Sequence, residues 1–193
     1  MAELVWKGKR WPLDHHAHSS SESALVYPAP SLITQAYYYG QAREIQAGAE
    51  CSSPSSWYNR LLHGDKSSIL PALQPEFAGA VDLIYIDPPF MTGRTFSTGE
   101  RVAYSDTWKN DLDRYLQWLY ETLHQLHTLL APEGSLYIHL DWRVTHYAKI
   151  MLDEIFGTSM QVNGPGFKNE IIWHYQSGGY SQRYFARKHD TIL

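Results

Sequence analysis

Cys51 is the only cysteine in the 193 residues. That excludes a disulfide framework and a thiolate zinc cluster, and it fits a reducing compartment. Long apolar runs are missing too. Nothing approaches the roughly 18 consecutive apolar residues of a membrane span, and the opening MAELVWKGKRWPLD lacks the apolar core of a secretory signal. The expectation is therefore a cytoplasmic protein with no membrane partner. A positive charge excess is also absent: 16 Lys and Arg against 20 Asp and Glu give a formal charge of −4. Taken alone, that sum counts against nucleic acid, because phosphate contacts need clustered cations. The distribution softens the point. Basic residues gather late, at Lys168, Arg183, Arg187, Lys188 and His189, while acids crowd residues 106 to 121. The late cluster reads equally as a nucleic-acid face or as a solvated surface.

What is present is enough apolar material, 44% of the residues, to bury one substantial core. Residues 1–56 contain Pro28, Pro30, Pro54, serine clusters and Tyr37 to Tyr39 without a sustained period, and read as an irregular N-terminal arm. His15, His16 and His18 fall in that arm, with no other ligand type beside them, and read as a solvated tail rather than a metal site. A clearer pattern starts at Trp57 and runs on through residues 57–193. Asn59 to His63 predicts a short strand, Gly64 and Asp65 a turn, and Ser67 to Leu73 a short helix.

Val81-Asp-Leu-Ile-Tyr-Ile86 is a near-continuous, β-branched apolar run between Gly79 and Pro88, the pattern of a strand covered on both faces. Residues 91 to 108, rich in Gly, Thr and Ser, read as a loop. Leu112, Leu116, Leu119, Leu123, Leu126 and Leu130 follow at helical spacing, and Pro132 and Gly134 close that helix. His124 and His127 lie on it as surface or core-edge residues. Ser135 to Leu140 predicts the next strand, Arg143 to Phe156 the next helix, and Lys168 to Tyr175 and Asp190 to Leu193 two further apolar stretches. Strands alternating with helices predict an α/β fold with a mainly parallel sheet. Ligands of such sheets bind beyond the carboxyl ends of the strands. Asp87 to Phe90 and His139 to Asp141 occupy that place.

The Asp87-Pro88-Pro89-Phe90 turn suits a specific chemistry. An aromatic amino nitrogen is a poor nucleophile because its lone pair is delocalised into the ring. The Asp87 carboxylate and a proline carbonyl in a rigid turn can accept one N–H each, drawing the nitrogen toward tetrahedral geometry. Phe90 can stack on a base taken out of its duplex. The plainer alternative is a βα turn in which Asp87 caps backbone amides and Phe90 fills the core. His139 and Asp141 either line the same pocket or, for Asp141, cap the following helix.

Together, Asn59-Arg-Leu-Leu-His-Gly-Asp65, Val81 to Gly93, Gly134-Ser-Leu-Tyr-Ile-His-Leu-Asp141, Leu152-Asp-Glu-Ile-Phe-Gly157, Asn169-Glu-Ile-Ile-Trp-His-Tyr175, Gly178-Gly179 and Lys188-His189-Asp190 resemble the permuted, beta-class amino-group DNA methyltransferases. Glu3-Leu-Val-Trp-Lys-Gly-Lys9 resembles the start of their long members, which are similar to type III restriction-modification methylase subunits. The resemblance implies an incomplete Rossmann-like sheet, double-stranded DNA as substrate, and S-adenosylmethionine as donor. Adenine N6 is the commoner target and cytosine N4 the rarer. It also implies catalytic roles for Asp87, Pro88, Pro89 and Phe90, and donor contacts for Asp65 and Asp87, although Asp65 serves as well to cap the helix after it. A restriction subunit or a second copy is the expected protein partner. Where the family usually has Tyr and Asn after the prolines, this chain has Phe90 and Met91. No strand feeds a glycine-rich turn into a helix, the element that holds the donor. In the family that element follows the Lys-His-Asp strand, so the chain reads as an N-terminal fragment. The isolated chain is accordingly expected to bind S-adenosylmethionine weakly and to have little activity. The rival reading is a non-catalytic nucleic-acid-binding or partner module.

Overall fold

The computed structural model describes residues 3–10, 34–38, 41–45, 60–98, 101–158, 165–176 and 182–193. Two compact units divide the chain: Met1–His15 with Phe77–Leu193, and His16–Glu76. His15, His16 and His18 lie outside the described residues.

In the smaller unit, β1 (Thr34–Tyr38) and β2 (Gln41–Ile45) pair as an antiparallel hairpin within the stretch expected to be irregular. Helix α1 (Lys66–Phe77) starts where the Gly64-Asp65 turn predicts and runs past Leu73. Asp65 caps it. Arg60 Nη1 donates to Glu76 Oε2 at 2.6 Å. The strand expected over residues 59–63 does not form. Asn59 is outside the described residues, and only Leu61 takes part in a bridge.

The larger unit holds the sheet. Its strands are β3 (Val81–Ile86), β6 (Leu130–Leu140), β7 (Ile171–His174) and β8 (His189–Ile192), in the order β3-β6-β8-β7. Between β3 and β6 lie the hairpin β4 (Thr95–Thr98) and β5 (Arg101–Ser105) and the helix α2 (Leu112–Leu129). Helix α3 (Thr145–Phe156) follows β6. β3 and β6 are parallel, whereas β8 is antiparallel to both β6 and β7. The sheet is thus mixed, not mainly parallel. The chain returns from β7 into the gap beside β6, and a strand that enters there from the far end can satisfy both neighbours only in the antiparallel sense.

Side-chain alternation sets the layers. Ile84 on β3 and Ile138 and Leu140 on β6 point into a core with Tyr115, Leu116, Leu119, Tyr120 and Leu123 of α2 and Ala148 and Met151 of α3. Leu83, Tyr85, Tyr137, Ile171 and Trp173 occupy the opposite face and remain exposed. Helix α2 ends one residue earlier than its leucine spacing predicts, because Leu130 already pairs with Val81 as the start of β6. Gly134 permits this early strand: a Cβ there would come within 2.8 Å of the Val81 carbonyl.

Residues 3–10 pack onto the helices. Trp6 is buried edge-on to Tyr120, with ring centroids 5.3 Å apart. Lys9 Nζ bonds Glu154 Oε1 at 2.7 Å with both side chains nearly buried. Gln117 of α2 exchanges hydrogen bonds with the Arg10 backbone, 3.0 Å from its N–H and 3.1 Å to its carbonyl.

Candidate active site

Strand β3 delivers Asp87-Pro88-Pro89-Phe90 at the carboxyl end of the sheet. The prolines hold φ near −65° and contribute no N–H, so the turn is stiff and its carbonyls are left as acceptors. Tyr115 Oη donates to the Pro89 carbonyl at 2.8 Å. Burial first, then the nearby Asp106 and Asp141 carboxylates, push the Tyr115 phenol well above its ordinary value, so it stays protonated as a donor. The Pro88 carbonyl, by contrast, meets no donor among the described residues.

The next residue, Met91, has φ of +57°, a left-handed backbone that is rare for a residue without local polar partners. Asp106 holds it there. Its buried carboxylate accepts from Met91 N (3.0 Å), Thr92 N (2.7 Å), Thr92 Oγ1 (2.8 Å) and Trp108 Nε1 (2.9 Å). Backbone bonds from Gly93 N to the Asp106 carbonyl (3.0 Å) and from Asp106 N to the Arg94 carbonyl (2.8 Å) complete the clamp. Asparagine is among the residues that tolerate this backbone region best. Where Met91 stands, the usual family residue would therefore fit with less strain.

Asp87 is 60% exposed at its side chain and lies 3.4 Å from His139 Nδ1. The Phe90 ring meets the His139 ring edge-to-face at 5.3 Å. The other imidazole nitrogen, His139 Nε2, faces Asp190 Oδ2 at 3.4 Å, within ion-pair range but without hydrogen-bond geometry. Tyr175 Oη donates to the other Asp190 oxygen at 3.3 Å. Asp87, Phe90, His139 and Asp190 thus form one cluster, built on β3, β6 and β8.

Asp141 engages the start of α3. Its carboxylate accepts from Arg143 N at 2.9 Å and pairs with Arg143 Nη1, while its carbonyl accepts from Val144 N, Thr145 N and Thr145 Oγ1 at the entrance to α3. Burial raises its pKa against the opposing pull of Arg143. Asp65 similarly accepts from Ser67 N at 2.8 Å and from Ser67 Oγ at 2.5 Å, and those bonds hold its carboxyl below the usual range. Asp106 and Tyr115 are the contributors that residue patterns did not single out, and Asp190 stood out only as part of Lys188-His189-Asp190. A carboxylate set between Tyr104 and Trp108 at the end of a Thr- and Ser-rich loop was the one available signal for Asp106.

Residues 81–193 match the family model for DNA methylases of the N6/N4 type. The chain belongs to this DNA methylase family. A DNA adenine methyltransferase, YhdJ, of Escherichia coli K12 is 25% identical over 77% of this chain and 45% of its own length. Type II methyltransferase M.BglII of Bacillus subtilis is 29% identical over 74% of this chain and 36% of its own. The StyLTI Mod subunit of a type III restriction-modification enzyme from Salmonella typhimurium is 30% identical over 60% and 20%. This DNA methylase chain spans less than half the length of these curated relatives.

The two βα turns at the carboxyl end of the sheet are Asp87 to Met91, with two prolines, and Asp141 to Val144, and neither contains glycine. A glycine-rich turn that lets backbone amides approach the donor is therefore absent among the described residues. No helix among them is long and apolar enough to cross a membrane.

Proposed function

We propose that the larger unit presents the target-base half of a DNA methyltransferase site, with adenine N6 in double-stranded DNA as the target and S-adenosylmethionine as the donor of the whole enzyme. One observation supports it above the others. Asp87 stands exposed beside a rigid turn in which Tyr115 occupies the second proline carbonyl, while the first meets no donor among the described residues. Asp87 and the Pro88 carbonyl are then the two acceptors for the two amino hydrogens. Accepting both bonds weakens conjugation of the nitrogen lone pair with the ring and exposes it for attack. Phe90, steadied edge-on by His139, supplies the stacking surface for a base taken from the helix. The adenine assignment draws on the named specificity of the Escherichia coli relative, and the type III relatives make a restriction subunit the natural protein partner. The half-sheet β3-β6-β8-β7 reads as part of a larger Rossmann-like sheet.

The test is Asp87→Ala in the full-length protein, assayed by transfer of labelled methyl groups to duplex DNA and, separately, by DNA binding. Methylation is expected to fall by at least about a hundredfold, with DNA affinity nearly unchanged. Residual turnover above roughly a tenth of wild type would remove Asp87 from the chemistry.

A further inference from the structure

The late basic cluster has a second element that the methyl-transfer chemistry does not use. Trp142 follows the carboxyl end of β6, and residues 182–188 lead into β8. Because β8 is antiparallel to β6, and β6 parallel to β3, the start of β8 lies at the same end of the sheet as Asp87. There the Arg187 guanidinium carbon sits 3.6 Å from the Trp142 ring centroid and 5.2 Å from that of Tyr184. Arg143 also approaches Trp142, at 4.7 Å, but its charge is taken up by Asp141. Arg187 is exposed and has no carboxylate within ion-pair distance among the described residues.

We infer that Arg187, stacked on Trp142 and Tyr184, is a binding site for a DNA backbone phosphate beside the target base. A guanidinium stacked on an indole spends its flat face on the ring and leaves its in-plane N–H fork outward, the geometry that suits phosphate oxygens. The stack also removes the side-chain freedom that a lone surface arginine would lose on binding. Two cations on one ring, only one of them neutralised, leave a local positive charge on a chain whose net charge is −4. The surroundings are suited to nucleic acid as well: Trp142 is 40%, Tyr184 61% and Phe185 99% exposed. Aromatic rings left in water beside an unpaired cation are the usual furniture of a strand-binding surface. Lys188 is not counted in the site, since its Nζ donates to the Gln176 carbonyl at 3.3 Å.

This assignment rests on the proposed DNA methyltransferase function, and the experiment separates the two. Fluorescence anisotropy with a labelled DNA duplex is measured for the full-length protein from roughly 50 to 200 mM salt, for wild type, Arg187→Ala, Arg187→Lys and Trp142→Leu. Removing one phosphate contact should lower the slope of log affinity against log salt by about 0.9 in Arg187→Ala. Arg187→Lys should keep the slope and lose part of the affinity. Trp142→Leu should weaken binding severalfold although it removes no charge. Methylation by the wild type together with an unchanged affinity and slope in Arg187→Ala overturns the phosphate site alone. Absence of duplex binding by the wild type at every salt concentration overturns the parent reading and this one with it.

Discussion

Met91 shows how one residue's backbone can depend on another's side chain. Its left-handed conformation costs about 1–2 kcal/mol for an L-residue with no local compensation, and Asp106 holds it with bonds to two successive amides. Asp106 has no cation within ion-pair distance among the described residues. Its charge is balanced by four N–H and O–H donors in a buried site. Asp106→Ala should orphan those donors together and cost about 3–5 kcal/mol, since hydrogen bonds to a charged group are the strong ones. Urea unfolding of the two proteins checks this, and a loss below about 1 kcal/mol would show that the loop is held by something else. The bonds to Met91 and Thr92 N were not legible beforehand, because those amides lie 15 and 14 residues before Asp106 and a backbone N–H carries no residue identity to recognise. Asp87, Pro88, Pro89 and Phe90 were legible for the opposite reason. The roles proposed for them rest on residue types that the sequence itself displays, an acid, two rigid prolines and an aromatic ring.

Elements with a strong period were equally readable. The leucine spacing of α2 gives its buried face, and the apolar runs give β3 and the second half of β6. The β4–β5 hairpin was not readable. Its strands, Thr-Phe-Ser-Thr and Arg-Val-Ala-Tyr-Ser, are short and mostly polar, which reads as a loop, and the stacked pair Phe96 and Tyr104 marks the hairpin only once the strands have met. Between helices, His127 of α2 packs its ring edge-on against Phe156 of α3, with centroids 4.7 Å apart. Burial lowers its pKa, so the unfolded chain takes up a proton at a higher pH than the folded one does. The stabilising contribution is then complete above the unfolded value of about 6.5 and is lost as pH falls below it toward the lowered folded value. Wild type should consequently lose stability between about pH 7.5 and 5.5, and His127→Phe should lose less over the same interval. Equal losses in urea midpoints would show that His127 does not couple the helices to pH.

At the scale of the whole molecule, the described helices α2 and α3 cover one face of the sheet, while Leu83, Tyr85, Tyr137, Ile171 and Trp173 stay open on the other. Strand β3 has only β6 beside it in the described sheet. With no glycine-rich turn among the described residues, calorimetric titration of the purified 193-residue chain with S-adenosylmethionine should show binding weaker than micromolar. A micromolar isotherm would place the donor on residues already described. The sequence period could foretell which strand faces are apolar, but not that one face would stand uncovered, since both faces of β3 carry apolar side chains. The docking of residues 3–10 was hidden in the same way, because Trp6 and Lys9 find their partners on helices far along the chain. That distance sets a timetable for synthesis. Glu154 is polymerised 145 residues after Lys9, roughly 7–30 s later at ordinary translation rates. Until α2 and α3 have both been made, residues 3–10 lack part of the surface that buries Trp6, and whatever shields that indole meanwhile governs whether the helices can close over it when they arrive.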